Sequence, residues 1–305
     1  MILKIVVAIL TTGVRNKTFK ICIESLFRQN IPSFIDMDIL VVENNQKALS
    51  SITQIIEPYK EHSNINIFHC LEVKPGIPFA RNCALSFAQI NGYSHLAFID
   101  DDAFAVNNWI HELTIDIDSF DVVSGPQCAL FPEDIPSFFK LAKVYRERVI
   151  NHNADIQWAA TNNVLISIDT LKRLNLRFNE TLIHGGEDKE LFLRVSKLGG
   201  KIKWRSNAVV KEHIVRERLN LKWALNRTFR MGATGFKIES CNKNRHKTYL
   251  ICLFKGSAYL LKGFLSFIPF LISSKYSILD SLCDISHGLG FFYGIFTRGR
   301  VKSYA

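Results

Sequence analysis

The sequence lacks the motifs that identify several common binding sites. It contains neither Gly-x-Gly-x-x-Gly nor Gly-x-x-x-x-Gly-Lys-Ser/Thr, which argues against a Rossmann dinucleotide site and a P-loop. Its 7 cysteines include no Cys-x-x-Cys pair, which argues against a thiolate zinc site and favours buried, reduced thiols. With 48% hydrophobic residues and no internal repeat, the 305-residue chain is typical of a folded globular protein.

The N-terminal segment MILKIVVAILTTG lacks the features of a signal peptide. Its unbroken apolar run extends only from Ile5 to Leu10, and no small-residue cleavage site follows. The segment therefore predicts a first buried strand, and we expect the protein to be cytoplasmic.

The apolar C-terminal segment, residues 249–296, is interrupted by charged residues. Lys255 and Lys262 are seven residues apart and so share a helical face, as do Asp280 and Asp284 further on. A membrane span needs about 20 largely uncharged residues. A helix that lies at the membrane interface instead shows this mixture of Phe, Leu and Lys. The pattern favours peripheral membrane attachment over a buried helical cap or a true span.

Positive charge is concentrated in the last third of the chain. Residues 201–305 carry 19 Lys and Arg against 5 Asp and Glu, a balance of +14, whereas residues 1–200 carry 19 against 23, a balance of −4. This excess favours an anionic partner, either nucleic acid or an anionic lipid surface. The basic residues alternate with long apolar runs rather than with stacking aromatics on a polar sheet, which argues against nucleic acid.

The first 102 residues alternate between strand-like and helix-like segments. The strand-like segments are LKIVVAIL, MDILVVENN, INIFHCLEV and HLAFIDDD, and the helix-like ones are KTFKICIESLFRQN, SITQIIEPY and IPFARNCALSFAQI. This alternation predicts an α/β fold with a mostly parallel sheet flanked by helices. Ligands bind such sheets at the carboxyl ends of the strands. There the sequence places polar residues, which we expect to share one crevice: Thr11, Thr12, Glu43, Asn44 and Asp100 to Asp102.

The middle of the chain, residues 121–210, has a mixed pattern. SFFKLAKVYRERV predicts a helix, WAATNNVLISIDTLKRL a strand and then a helix, and GGEDKELFLRVSKLGG a helix closed by two glycines. KIKWRSNAVVKEHIV predicts a strand or the edge of a hairpin.

In the segment FIDDD, a predicted buried strand ends in three consecutive carboxylates. Like charges repel, and burial raises the cost, so a positive partner is expected there. Asp100 and Asp102 offer the oxygen ligands that Mg²⁺ or Mn²⁺ prefers. Substrate phosphates often complete the coordination shell of such an ion. A solvated turn without a ligand explains the same residues equally well.

The segment HGGEDKELFLR combines two glycines with two acids at the start of a helix. Capping of the helix dipole explains one acid well. The alternative to capping is a catalytic role, in which Glu187 or Asp188 accepts a proton from an alcohol. In KPGIPFARN, Lys74 and Arg81 could neutralise a phosphate or pair with an acid of FIDDD, or they could simply be surface residues.

Taken in order, these segments resemble the family 2 glycosyltransferases, a large inverting family with the GT-A fold. The resemblance covers about residues 3–235 and rests on five segments: VVAILTTGVRNKTFKICIESLFRQ, ILVVENN, KPGIPFARNCALSFA, FIDDDAF and TNNVLISIDTLKRLNLRFNETLIHGGEDKELFLRV. The Gln-x-x-Arg-Trp motif of processive members is absent, so the resemblance implies transfer of one sugar per cycle.

The resemblance also implies a role for each matching residue. Glu43 stands where the family usually has Asp and is expected to contact the base or ribose of the nucleotide. Asp188 is expected to be the general base, with Glu187 orienting the acceptor or the base. The nucleotide-binding set is Thr11, Glu43, Arg81, Asp100 and Asp101, and the set for Mn²⁺ or Mg²⁺ is Asp102, Asp100 and His213.

The implied protein is a metal-dependent, hexosyltransferase-like enzyme. Residues 1–240 would form the catalytic domain, with its nucleotide half at about 1–120 and its acceptor half at about 121–240, and residues 241–305 a basic helical tail. It would move a sugar from a nucleotide-sugar to a lipid-linked glycan at the inner face of the membrane, in cell-surface polysaccharide synthesis. A sugar-nucleotidyltransferase, a glycosidase and a basic nucleic-acid-binding protein remain as alternatives.

Overall fold

The computed structural model describes residues 2–60, 64–268 and 277–300. The chain forms two compact units, and neither is continuous in sequence. The first unit comprises Met1–Cys128, Arg148–Ile183 and Glu187–Glu212, and the second comprises Ala129–Glu147, His184–Gly186 and His213–Ala305. The division of function at about residue 240 stays a prediction, since compactness does not define a functional domain.

Strand and helix alternate through the first part of the chain, as predicted. The elements are β1 (Leu3–Thr11), α1 (Asn16–Phe27), β2 (Ile35–Glu43), α2 (Ser50–Lys60), β3 (Ile67–Leu71), α3 (Ile77–Ile90) and β4 (His95–Asp100). Helix α2 contains Pro58 and extends one residue beyond each end of the helix-like segment SITQIIEPY.

Shorter elements follow β4. They are β5 (Ala103–Ala105), α4 (Trp109–Thr114), β6 (Val122–Ser124), β7 (Gln127–Leu130), α5 (Ser137–Leu141), β8 (Asn163–Ser167), α6 (Ile168–Arg173), α7 (Glu187–Lys197), β9 (Ile202–Trp204) and β10 (Val210–His213), with 3₁₀ turns at Ile117–Ser119 and Arg216–Arg218. Three long helices then complete the described chain: α8 (Leu221–Asn242), α9 (Arg245–Leu265) and α10 (Ile278–Thr297).

The large sheet has seven strands in the order β3-β2-β1-β4-β8-β6-β9. Strands β1, β2, β3 and β4 pair in parallel, and only β8 runs antiparallel to its neighbours. This confirms the predicted mostly parallel sheet flanked by helices. The register places Thr11 opposite Glu43, and Leu10 opposite Asp100. The polar residues that end three neighbouring strands therefore lie along one edge of the sheet.

Strand β1 is buried on both faces. Ile5, Val7 and Ile9 pack into the cluster that includes α1 and α2, whereas Val6 and Ala8 pack into the cluster that includes α3. Successive side chains of a strand point to opposite faces, so each face takes alternate residues. The alanines predicted to share one face of α3 are all buried against the sheet: Ala80, Ala84 and Ala88.

One prediction from the middle of the chain is wrong, and another holds only in part. Only Ser137–Leu141 of SFFKLAKVYRERV is an α-helix. Beyond it, Ala142 and Tyr145 are buried in the core of the second unit, and this tertiary packing overrides helix propensity. KIKWRSNAVVKEHIV contains two strands, which confirms the strand reading, but they form no hairpin: β9 pairs in parallel with β6, and β10 pairs with β5 in a separate three-stranded sheet.

In the second unit, α10 packs closely against α8 and α9 through glycines. A side-chain carbon added at Gly232 of α8 would overlap the backbone oxygen of His287, and one added at Gly290 of α10 would overlap that of Phe229. At Gly288 the same atom would lie 2.8 Å from the backbone oxygen of Gly256 in α9. The three helices therefore meet backbone to backbone. Among the described residues, no helix is both long and apolar enough to cross a membrane.

The buried imidazole at the start of β4 makes the stability of the fold depend on pH. Burial lowers the pKa of His95 to about 4, although Asp118 opposes the shift. Between about pH 6.5 and 4 the unfolded chain therefore binds more protons than the folded one, so the free energy of unfolding falls as pH falls. We expect a loss of up to about 3 kcal/mol from this group.

Urea denaturation of wild type and His95→Asn from neutral to acid pH measures this loss. The variant should show a shallower fall below about pH 6.5. His111→Asn, which removes an exposed histidine of α4, is the matched control. Equal slopes for wild type and His95→Asn would contradict the assignment.

Candidate functional site

Two of the three aspartates at the end of β4, Asp101 and Asp102, are held by Thr11 at the end of β1 and by Arg15 in the loop that follows. The Thr11 hydroxyl donates to Asp101 Oδ2 at 2.7 Å. Arg15 forms an ion pair with Asp101 at 3.0 Å and a second with Asp102. Asp101 and Asp102 are buried, whereas the Arg15 side chain is 43% exposed. Arg15 is therefore a positive partner of the kind that FIDDD requires.

Asp100 lies in an environment that disfavours its charged form. Burial raises the pKa of Asp100 to about 7, and the carboxylate of Asp102 adds to the shift. The Arg81 guanidinium opposes it, while Glu212 on β10 reinforces it. Burial and the neighbouring carboxylates both oppose ionisation of Asp100, and a bound cation would relieve this repulsion.

Arg81 of α3 pairs with the first residue of α7. Its guanidinium donates to Glu187 Oε1, and both side chains are almost completely buried. Arg81 also lies over the ring of Phe178, 5.6 Å from its centroid. Burial raises the pKa of Glu187, Arg81 opposes this shift, and Asp188 reinforces it. Arg81 thus interacts electrostatically with both Asp100 and Glu187, and it connects the two acidic segments of the first unit.

Asp188 is less enclosed than Glu187. It is partly exposed, and its Oδ1 accepts the backbone N–H of Lys189 at 2.6 Å. The Lys189 ammonium lies 5.0 Å from the ring centroid of Trp158, and Arg148 lies 3.9 Å from the same ring. A carboxylate that remains accessible at the start of a helix is suited to accept a proton from a bound hydroxyl group.

Glu43 is fully buried and bonded to protein groups at both oxygens. Its Oε1 accepts the backbone N–H of Leu49 at 2.8 Å and the side-chain amide of Asn45 at 3.1 Å. Its Oε2 lies 3.0 Å from His69 Nε2. These bonds hold the loop after β2 in place, so in this conformation Glu43 has a structural role beside the carboxyl edge of the sheet. Its contact with a nucleotide stays a prediction.

Asn44 connects the same loop to the segment before α3. Its amide donates to the backbone oxygens of Glu72 and Lys74, at 2.8 and 2.7 Å, and accepts the N–H of Gly76 at 2.9 Å. Gly76 has a φ of +131°, which L side chains rarely adopt, so glycine is required where the chain turns into α3. This turn sets the start of the helix that carries Arg81.

The structure brings most of the predicted residues together. Contacts and electrostatic interactions connect six of them in the first unit: Thr11, Arg81, Asp100, Asp101, Asp102 and Glu187. His213 is exposed and belongs to the second unit, where it ends β10. Among the described residues, no group of three or more His, Cys, Asp or Glu side chains could hold a metal ion. A metal ligand set of Asp100, Asp102 and His213 stays a prediction.

Sequence reasoning missed two residues of this edge. Arg15 is a single basic residue in a loop, and its partners lie 86 and 87 positions further along the chain. Glu212 was read only as part of a strand. The sequence indicates only that three adjacent carboxylates need a positive partner, and it does not identify Arg15 as that partner.

Comparison with known proteins identifies a family and a relative. The sequence pattern described as Glycosyl transferase family 2 matches residues 7–162. The succinoglycan biosynthesis protein ExoM of Rhizobium meliloti (strain 1021) is 27% identical over 215 residues, which are 70% of this chain and 68% of that protein.

Solved structures of S. aureus TarS share the fold. TarS 1-349 in complex with UDP-GlcNAc matches with a TM-score of 0.54 at 16% identity, over 85% of this chain and 67% of that one. TarS 1-349 in complex with UDP has the same TM-score over 98% of this chain and 92% of that one. A longer TarS chain matches with a TM-score of 0.53 at 17% identity, over 74% of this chain but only 39% of its own length. The predicted GT-A-like architecture is confirmed.

The buried ion pair between α3 and α7 provides a test of how the site is held. In Arg81→Met, the Glu187 carboxyl must stay charged without its partner or take up a proton. We expect the free energy of unfolding to fall by about 3–5 kcal/mol. The double variant Arg81→Met/Glu187→Met removes both charges and should recover much of that loss. Urea denaturation measures both effects.

The matched control is an exposed ion pair on the same unit, Lys60 with Glu57 in α2. Lys60→Met should cost less than about 1 kcal/mol. Similar losses for Lys60→Met and Arg81→Met, or no recovery in the double variant, would contradict the structural role of the buried pair.

Proposed function

Because the chain belongs to glycosyl transferase family 2, we propose that it moves one sugar per cycle from a nucleotide-sugar donor to a hydroxyl group of a glycan, with inversion at the anomeric carbon. One observation carries the proposal. Acidic side chains and Arg81 gather at the carboxyl edge of the parallel sheet, which is where ligands bind in such folds.

The donor would bind at the ends of β1, β2 and β4. The bound UDP-GlcNAc in TarS 1-349 supports a nucleotide-sugar donor. In this chain Asp100 and Asp101 would contact the nucleotide, and Thr11 would hold Asp101 in position through its 2.7 Å hydrogen bond. Arg81 would lie near the nucleotide and offset its negative charge.

The residues at this edge fit a divalent cation. Asp100 and Asp102 supply carboxylate oxygens, the donors that Mn²⁺ and Mg²⁺ prefer, and the donor diphosphate would supply the remaining ligands. The proximity of Asp102, Asp101 and Glu212 to Asp100, which raises the pKa of that carboxyl, supports this fit. When bound, such an ion stabilises the charge that develops on the leaving diphosphate.

The proton of the acceptor hydroxyl would pass to a carboxylate oxygen of Asp188. The hydroxyl oxygen attacks the anomeric carbon as the bond to the nucleoside diphosphate breaks, and this single displacement inverts the centre. Glu187 would orient the acceptor or the base, and its ion pair with Arg81 keeps it in a fixed position. Arg81 thereby positions the base segment relative to the donor edge.

The acceptor we propose is a lipid-linked glycan of cell-surface polysaccharide synthesis, met at the inner face of the membrane. The name of the ExoM relative supports a polysaccharide pathway. The balance of +14 in residues 201–305 supports contact with anionic lipid headgroups.

A panel of nucleotide-sugars, including UDP-GlcNAc, incubated with Mn²⁺, Mg²⁺ or EDTA tests the donor side. We expect one donor to release its nucleoside diphosphate in a metal-dependent reaction, because the carboxylates alone cannot neutralise that leaving group. Asp102→Asn should weaken Mn²⁺ binding measured by calorimetry as well as release. Release of pyrophosphate would instead identify a nucleotidyltransferase, and no release or binding of any donor would overturn the proposal.

Asp188→Asn tests the catalytic assignment. It removes the proton acceptor but keeps the size of the side chain, so transfer should fall about a hundredfold or more while donor binding is retained. Kinetic assays and donor titration with the identified donor separate the two effects. Asp36→Asn, at an exposed position near the start of β2, is the matched control and should transfer normally. Near-normal transfer by Asp188→Asn would exclude the residue as the base.

A further inference from the structure

Helix α9 presents a row of large apolar side chains to solvent. These side chains, which we call the outer face of α9, are between 44% and 75% exposed: Leu250, Leu253, Phe254, Leu261, Phe264 and Leu265. Ile268, three residues beyond the end of the helix, is also 55% exposed. Isolated exposed apolar residues are common, but a contiguous row of this kind marks an interaction surface.

The spacing of these residues places them on a single stripe. Each residue advances an α-helix by about 100°, so the six positions fall within an arc of about 120°. The opposite side of the helix is buried against the rest of the second unit through Thr248, Cys252, Gly256 and Gly263. Helix α9 therefore has two sides that lack charge. One side packs inside the second unit, and the other side, which is apolar, is exposed to solvent.

The charge of α9 has one sign. The helix contains Arg245, Lys247, Lys255 and Lys262 and no Asp or Glu. Lys255 pairs with Glu239 of α8, and Lys262 pairs with Asp284 of α10 at 2.9 Å. Both lysines thus lie at the flank where α9 meets its neighbours, beside the apolar stripe rather than within it. Long basic side chains at the border of an apolar surface can extend their charges to the headgroup level of a bilayer.

We propose that the outer face of α9 inserts into the interfacial region of a membrane that contains anionic lipids, with α9 lying parallel to the surface. Aromatic and leucine side chains on one stripe, with basic residues at its border, are the composition of interfacial helices. A second copy of this chain is the alternative occupant, but its α9 would offer no acidic side chain to Arg245 and Lys247. The inference deepens the proposed function, on which it rests for the lipid-linked acceptor.

Binding of the full-length protein to vesicles tests the inference. Sedimentation is compared for vesicles of phosphatidylcholine alone and of phosphatidylcholine mixed with phosphatidylglycerol. Wild type should bind the anionic vesicles more tightly and lose affinity as salt is raised. Phe254→Glu/Phe264→Glu replaces two exposed side chains and should bind anionic vesicles at least about tenfold more weakly. Ile90→Glu, at an 83% exposed position of α3, is the matched control and should bind as wild type does.

Three outcomes would overturn the inference. They are the absence of wild-type binding to anionic vesicles, equal binding by wild type and the double glutamate variant, and a change from dimer to monomer in that variant without lipid, measured by analytical ultracentrifugation. The last result would assign the surface to a second copy of the chain. Circular dichroism confirms that the variant is folded. The vesicle experiment contains no donor or acceptor. A negative result would therefore not affect the proposed sugar transfer, and a negative donor panel would not affect the vesicle result.

Discussion

The balance of charge at the end of β4 is the constraint on which the rest of the site depends. Three consecutive carboxylates follow a fully buried strand, and buried like charges are stable only when positive groups lie close. Arg15 meets this requirement from the loop after β1, and Arg81 contributes from α3. The parallel register then brings the ends of β1, β2 and β4 to one edge. The ion pairs that balance the acidic edge therefore also hold the loop after β1 in position.

The large features of the fold were predictable because they depend on local periodicity. Helix α3 spans the residues that its apolar spacing predicted, and the alternation of strands and helices determined the parallel sheet. The failures lie where local pattern conflicts with packing. The residues after α5 have helical spacing, yet burial of Tyr145 in the second unit takes the chain out of the helix. Propensity is a weak prior that tertiary contacts override.

The candidate site was predictable in its residue types but not in its pairings. The carboxylates were recognisable because three adjacent acids after a strand are costly. Their partners were not, since Arg15 and Asp102 are 87 positions apart, and Arg81 and Glu187 are 106 apart. The sequence suggested that Arg81 pairs with an acid of FIDDD, whereas its ion pair is with Glu187. Glu43 shows the same limit: its longer side chain satisfies a loop N–H and His69, and no sequence pattern reveals that use.

The glycine contacts between α8, α9 and α10 have a consequence for how this protein can diverge. On the inner side of α9, a side-chain carbon added at Gly263 would lie 2.9 Å from the backbone oxygen of Ser281, and one added at Gly256 would lie 3.0 Å from the ring of Phe292, so both positions tolerate little substitution. The side chains on the outer face of the same helix are 44–75% exposed, so they can change one at a time with little effect on the fold. Evolution can therefore adjust the surface of α9 to a new environment while its inner side keeps the same spacing of small residues. Distant homologues should be recognised by those glycines rather than by the leucines and phenylalanines opposite them.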